Sequence, residues 1–227
     1  MRDHLSSAIA ARRKAMTRLA GALAIVGGIW GAAFAPAVLA AADAQAQLRS
    51  FVSDVRTASG TFTQRTQSSQ GQAAPAQSGS FAFQRPGKFR WAVEKPYEQL
   101  VLSDGSKLYQ YDPDLAQVSV RTVGTAIGNA PAQVLFGEGS LEASFEIKPL
   151  PAKEGLQWLR ATPRTAEAGF AHMDLGFDSN LPVRIDILDA FGQTTRVEFT
   201  TIVPNPAVPA SQFSFVAPKG VDVVNME

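Results

Sequence analysis

Few side chains in this chain could carry out chemistry. Cysteine is absent, and the only histidines are His4 and His172. Without thiols there is neither a disulfide framework nor a thiolate nucleophile or metal ligand. A Ser-His-Asp triad would have to be built on His172. Its setting, GFAHMDLGFD, alternates apolar and polar residues as a strand does, so it reads as a strand histidine. Asp104, Asp112 and Asp114 offer carboxylates for acid–base work, but they stand in Ser-Asp-Gly and Asp-Pro-Asp contexts. In such turns Asp hydrogen-bonds its own backbone. Arg85 precedes Pro86-Gly87 at the end of a strand-like run. By its local sequence it reads as a polar turn residue before proline. The expectation is a chain with no catalytic residue, no metal site and no cofactor.

The elements that must position these residues begin after the amino terminus. Arg12, Arg13, Lys14 and Arg18 precede an uncharged stretch from Leu19 to Ala42 rich in Ala, Gly, Leu and Ile. That pattern is a secretory signal peptide; a membrane-spanning helix is the competing reading of a stretch near ~20 residues. Small residues at the recognition offsets allow cleavage after Ala40, Ala44 or Ala46, and residues 1–46 are assigned to the leader. Residues 47–227 form one domain, with 16 Lys+Arg against 18 Asp+Glu and a formal charge of −2. The basicity of the whole chain belongs to the leader, so nucleic-acid binding loses its electrostatic basis. Cysteine for lipid attachment is absent as well. The expected product is exported and soluble.

Leu48, Phe51, Val52 and Val55 recur at i, i+3, i+4 and i+7 with polar residues between them, which predicts an amphipathic helix. Gly60 is its expected end, and GTFTQRT opens a strand. Gln67 to Ser78 is a polar, low-complexity loop. From Gly79 the period becomes two. Phe81 and Phe83 share a face, and after Arg85-Pro86-Gly87 so do Phe89, Trp91 and Val93. EQLVLSD and KLYQYD flank an Asp104-Gly105 hairpin turn. LAQVSVRT, LQWLRAT, AHMDLGFD, VRIDILDA and TTRVEFTTIV continue a largely antiparallel meander. A second short helix is predicted between Thr122 and Gly137, with Asn129 as cap, Pro131 in its first turn and Val134, Leu135 and Phe136 as apolar residues. Phe213 to Val216 is expected to form another strand.

Such a sheet either fills its interior or wraps a ligand. Phe81, Phe83, Phe89, Trp91, Leu100, Leu102, Leu108, Val118, Trp158 and Phe177 on the strands, with Leu48 and Phe51 on the helix, are the candidates for lining an apolar cavity; periodicity does not separate that from a filled core, which is the default for any single aromatic.

The succession GTFTQ, GSF, RPGKFRW, PYEQLVLSDG, LYQYDPDLAQV and FSFVAPKGVDVV closely resembles the LolA family, periplasmic carriers of outer-membrane lipoproteins. The resemblance runs over nearly all of residues 47–227. It implies a mainly β fold with a few α-helices: an open antiparallel β-barrel, or half-barrel, whose apolar cavity is covered by a helical lid. The helix around Leu48 and the segment after Asn129 look like parts of that lid. The resemblance further implies that Arg85 latches the lid through carbonyls near Ile127, Gly128 and Asn129. Implied partners are triacylated outer-membrane lipoproteins, the inner-membrane ABC transporter LolCDE and, where one exists, the outer-membrane receptor LolB; the carrier is expected to be a monomer and not an enzyme. A binding protein of the same fold for another amphiphile, such as a glycolipid or apolar small molecule, is the alternative. A periplasmic enzyme and a lipoprotein sensor are the other classes. The Gln67–Ser78 loop is longer than the family pattern, and Asn129-Ala130-Pro131 only approximates its lid entry.

Overall fold

The computed structural model describes residues 43–123, 144–165 and 169–226. The first element is the helix α1, Ala44–Asp54. Asp43 caps it, its carboxylate accepting the Ala46 N–H at 2.7 Å. Ala44, Gln47, Leu48 and Phe51 form the buried stripe, the i, i+3, i+4, i+7 spacing that one helix face requires. The helix starts inside the stretch assigned to the leader. It also ends earlier than predicted: Val55 is already extended. Gly60 does not terminate the helix; it lies within the first strand, where a Cβ would overlap the Thr201 carbonyl oxygen. That position needs glycine because two backbones approach closely.

Among the described residues, eleven strands follow in the chain as β1 Thr57–Gln67, β2 Gln77–Gln84, β3 Lys88–Lys95, β4 Gln99–Asp104, β5 Lys107–Asp112, β6 Gln117–Thr122, β7 Phe145–Lys153, β8 Leu156–Pro163, β9 Phe170–Asp178, β10 Leu181–Asp189 and β11 Thr194–Pro204; a last, β12, spans Asp222–Asn225. They make one sheet in the order β12-β6-β5-β4-β3-β2-β1-β11-β10-β9-β8-β7. Two meanders, β1 to β6 and β7 to β11, are thus joined by the long β1–β11 pairing. Every pair is antiparallel except β12, which adds parallel to β6. The terminal strands β12 and β7 do not pair with each other, so the barrel is open, with α1 packed on β7 to β10.

Strand β7 escaped the sequence reading because Pro149 and Pro151 interrupt it. Proline lacks the ladder donor and is tolerated on an edge, and β7 is an edge strand. The expected strand from Phe213 to Val216 is also corrected: a 3-10 turn, Ala210–Phe213, is followed by extended chain outside the sheet. The predicted second helix with Asn129, Pro131, Val134, Leu135 and Phe136, and the carbonyls of Ile127 and Gly128, lie outside the described residues.

The turn carboxylates do local work. Asp104 accepts the N–H groups of Ser106 and Lys107, both at 2.8 Å, and Asp112 accepts those of Asp114 and Leu115. These Asx turns set the ends of β4 and β5.

Candidate functional site

The helix-covered face of the sheet is apolar and largely aromatic. Phe83 lies opposite Ala58 and Phe89, and Phe81 opposite Gly60 and Trp91. Period-two alternation therefore puts Phe81, Phe83, Phe89 and Trp91 on one face. Phe89 faces Ser103, which faces Leu108. From the other meander, Leu159, Met173, Leu175, Phe177, Ile185, Val197 and Phe199 join the same buried cluster, with Leu48 and Phe51 descending from α1. Rings interlock throughout. Phe62 stacks on Trp91 with centroids 3.8 Å apart, Phe81 meets Phe199 at 5.0 Å, and Phe51 meets Phe83 edge-on at 6.0 Å. Such pairs add about 0.5–1.5 kcal/mol each beyond their buried area. Phe51, Phe81, Phe83, Pro182, Phe199 and Ile202 close so tightly on one another that no water-sized space remains among them. The cluster is closed at this point, whereas a cavity of about 270 Å³ lies between α1 and β7, lined in part by Leu48, Phe145 and Ile147.

Arg85 lies at the carboxyl-terminal end of α1. The turn that carries it is anchored twice: the Arg85 N–H donates to the Arg56 carbonyl at 2.8 Å, and the buried Ser103 hydroxyl donates to the Gly87 carbonyl at 2.6 Å. The Arg85 Nε–H donates to the carbonyl of Val55, which ends α1, at 3.1 Å. Its guanidinium carbon lies 5.2 Å from the Phe51 ring centroid and 5.1 Å from that of Phe83, within reach of cation–π attraction. A cation at a helix C-terminus is also favoured by the helix dipole. Burial, with repulsion from Arg56, lowers the Arg85 pKa to about 10, so the group is charged at any physiological pH. Arg85 therefore touches the helix end, its inward aromatic and the sheet aromatic beneath it.

Asn205 is a partner that the sequence reading missed. Its Oδ1 accepts the Arg56 N–H at 2.8 Å, its Nδ2 donates to the Asp54 carbonyl at 3.0 Å, and its own N–H donates to the Thr57 carbonyl at 2.7 Å. It does so from a left-handed backbone, φ 54°, which Asn tolerates better than most residues. The only sequence signal was the turn-like Pro-Asn-Pro. Phe62 and Phe199 were likewise left out of the cavity candidates, although both alternate with polar residues in GTFTQ and RVEFTT.

Four predicted lining residues are on the opposite face. Leu102 lies across from Arg90, and Leu100 from Ala92 and Tyr111. Val118 also lies across from Tyr111. They are covered by the chain after β11, where Phe215 sits over Tyr109 and Tyr111. A cavity of about 790 Å³ between this segment and the sheet is lined in part by Arg90, Leu100, Leu102, Phe215 and Val216. Trp158 is the fourth. It faces Gly176 and Leu150, lies under the Arg184 guanidinium at 5.3 Å, and donates from its indole to the Lys153 carbonyl at 3.0 Å; its neighbour Leu159 is the residue in the aromatic core. Both are apolar, and alternation does not say which points inward.

Beyond Trp158, the opposite face carries paired charges. Arg160 grips Asp174 through two bonds of 2.7 and 2.8 Å. Asp186 is held between Arg196 and Arg184, and Arg184 also reaches Glu154. Desolvation raises the Asp186 pKa, but its bonds to Arg196 and Arg184 outweigh that and lower it overall. His172 lies half-buried in β9 opposite Leu188. Burial and the nearby Arg160 lower its pKa against the opposing pull of Asp174. Among the described residues no acidic and histidine cluster could hold a metal ion, and no helix is long and apolar enough to cross a membrane.

An open, almost wholly antiparallel sheet with an amphipathic helix packed over its aromatic face defines an open half-barrel with a helical cover. The family described as "Outer membrane lipoprotein carrier protein LolA" matches residues 53–216, and the chain belongs to that family. It is 59% identical over 194 residues to an outer-membrane lipoprotein carrier protein of Bordetella avium (strain 197N), covering 86% of this chain and 93% of that one. With the protein of the same description from Bordetella pertussis it shares 58% over 209 residues, covering 92% and 98%. Among solved structures, an uncharacterized conserved protein from Thermus thermophilus superposes with a TM-score of 0.50 at 13% identity, covering 80% of this chain and 96% of that one. That likeness concerns the fold alone.

Proposed function

We propose that this protein carries outer-membrane lipoproteins through the periplasm by taking their acyl chains onto the helix-covered aromatic face. The observation that supports this most is the Arg85–Val55–Phe51 contact over a buried apolar cluster in a member of the carrier family. Each methylene kept from water is worth ~0.8 kcal/mol, so an acyl chain of about fifteen would cost ~12 kcal/mol to expose. Three such chains do not cross an aqueous compartment unaided. A face that bound them at full strength would not release them either. Closing α1 back onto the sheet regains the Phe51 packing and the Arg85 bond, and so offsets part of the binding energy at delivery.

In this reading the export signal lies within residues 1–46, the chain from Asp43 onward is a single periplasmic domain acting as a monomer, and the protein is a carrier without catalytic activity. The transporter LolCDE would load it using ATP, and a LolB receptor would accept the cargo. Phe81, Phe83, Phe89, Trp91, Leu108 and Phe177, with Leu48 and Phe51, are proposed to meet the acyl chains; Leu100, Leu102, Val118 and Trp158 are not. Incubation with inner-membrane vesicles and ATP should release a lipoprotein into a soluble one-to-one complex. Release equal to that without the protein, from vesicles with competent LolCDE, would refute the reading. Mass spectrometry of copurified ligand would reveal a different amphiphile if the cargo is not triacylated.

A further inference from the structure

We infer that the leader is cut on the amino-terminal side of Asp43, so that the exported chain begins at Ala41 or Asp43. This rests on the exported reading above and makes a choice that the local sequence leaves open. Signal peptidase requires small residues at the positions one and three before the cut. At the carboxyl-terminal end of the stretch Val38 and Ala40, Ala40 and Ala42, Ala42 and Ala44, and Ala44 and Ala46 all satisfy it, so these four bonds there are chemically equivalent to the enzyme. They are not equivalent to the fold.

Residues 43–47 are built into the domain. The Asp43 carboxylate accepts the Ala46 N–H at 2.7 Å, and the Asp43 carbonyl accepts the Gln47 N–H at 3.0 Å, the first bond of the helix. Ala44 is buried in the aromatic cluster. The Gln45 amide reaches the Ile147 carbonyl on β7 at 3.5 Å. Gln47 is only 5% exposed, and its Oε1 accepts the Asn180 N–H of the β9–β10 turn at 2.9 Å. The first turn of α1 thus ties the helix both to β7 and to the β9–β10 turn.

Cleavage after Ala46 would remove the cap and Ala44 and put an α-ammonium on Gln47. A charge would then sit in a nearly buried position that now holds a neutral amide, at the positive end of the helix dipole. Cleavage after Ala44 would also delete the Asp43 cap and the Ala44 methyl, leaving a charged amino group on Gln45 within the first turn. Cleavage after Ala40 or Ala42 keeps every one of these contacts.

The full chain, expressed in a Gram-negative host, should yield a periplasmic protein whose intact mass corresponds to a start at Ala41 or Asp43. A start at Gln45 or Gln47 would overturn the inference while leaving export intact; an uncleaved chain absent from the periplasm would overturn the exported reading itself. In addition, purified forms starting at Ala41, Gln45 and Gln47 can be melted side by side. The two shorter forms should melt lower than the first by about 2–4 °C or more, and equal melting of all three would overturn the structural basis.

Discussion

Arg85 donates from Nε to the carbonyl of Val55 at 3.1 Å, linking the turn between β2 and β3 to the residue that caps the carboxyl-terminal end of α1. The same guanidinium covers Phe51 and Phe83, so one cation bridges the helix and the sheet on which the helix closes. Together with the contacts of Gln45, Gln47 and Asn205, this bond ties α1 to the sheet beside the aromatic packing.

Replacing Arg85 with Leu removes that bond and leaves the rings in place. A hydrogen bond to a charged group is worth about 1.5–3 kcal/mol, so the closed state should lose roughly tenfold to a hundredfold in population relative to the open one. The variant should hold cargo more tightly and pass it on more slowly. A time course of lipoprotein transfer to acceptor membranes measures this, and a rate equal to that of the wild type would refute the latch.

The chain has three tryptophans, of which Trp30 lies outside the described residues, leaving Trp91 and Trp158. Trp91 stacks on Phe62 in the helix-covered cluster, whereas Trp158 is clamped by Arg184 on the other face. Tryptophan emission should therefore shift when a triacylated peptide is added. Trp158→Phe should keep that shift and Trp91→Phe should abolish it; the reverse pattern would place the ligand on the wrong face.

Gly79 lies where β2 and β3 approach each other closely. A Cβ there would overlap the Ala92 carbonyl oxygen, a backbone atom that moves only with its strand. Gly79→Ala should cost about 1–3 kcal/mol, visible as a lower urea midpoint with the slope unchanged.

Asp186, held by Arg196 and Arg184, has a carboxyl pKa below its ordinary value. The unfolded state thus binds its proton more readily, so the group stabilises the fold at neutral pH and loses that contribution as pH falls below ~4 toward the folded-state pKa. Asp186→Asn should be less stable than the wild type at pH 7, and the gap should narrow in urea titrations at progressively lower pH. A gap that stays constant down to about pH 2 would show that the pairing with Arg184 and Arg196 does not carry the effect.

Much of this arrangement is written into local sequence. The Leu48–Val55 spacing specifies a helix because only a 3.6-residue period gathers those side chains on one face. The Asp104-Gly105 and Asp112-Pro113 pairs specify turns because short carboxylates satisfy nearby N–H groups. The run around Arg85, Phe89 and Trp91 specifies strands and carries the family likeness, and the alternation in Phe81-Ala82-Phe83 tells that these two aromatics travel together.

Tertiary structure alone assigns those strands their inside and outside. A period of two says that neighbours point apart, but it has no sign, and a one-residue change of register exchanges the faces. Leu100, Leu102 and Val118 lie away from the helix because their register with Arg90, Ala92 and Tyr111 puts them there, and Phe215 of the distant carboxyl-terminal segment gives that second face its own cover. Trp158 turns outward because Leu159 occupies the core. Asn205 reaches the end of α1 from 151 positions away, a contact for which adjacent sequence holds no record. Local periodicity follows from backbone geometry, whereas facing and closure depend on which strands meet, and that is determined by the packing of the whole sheet.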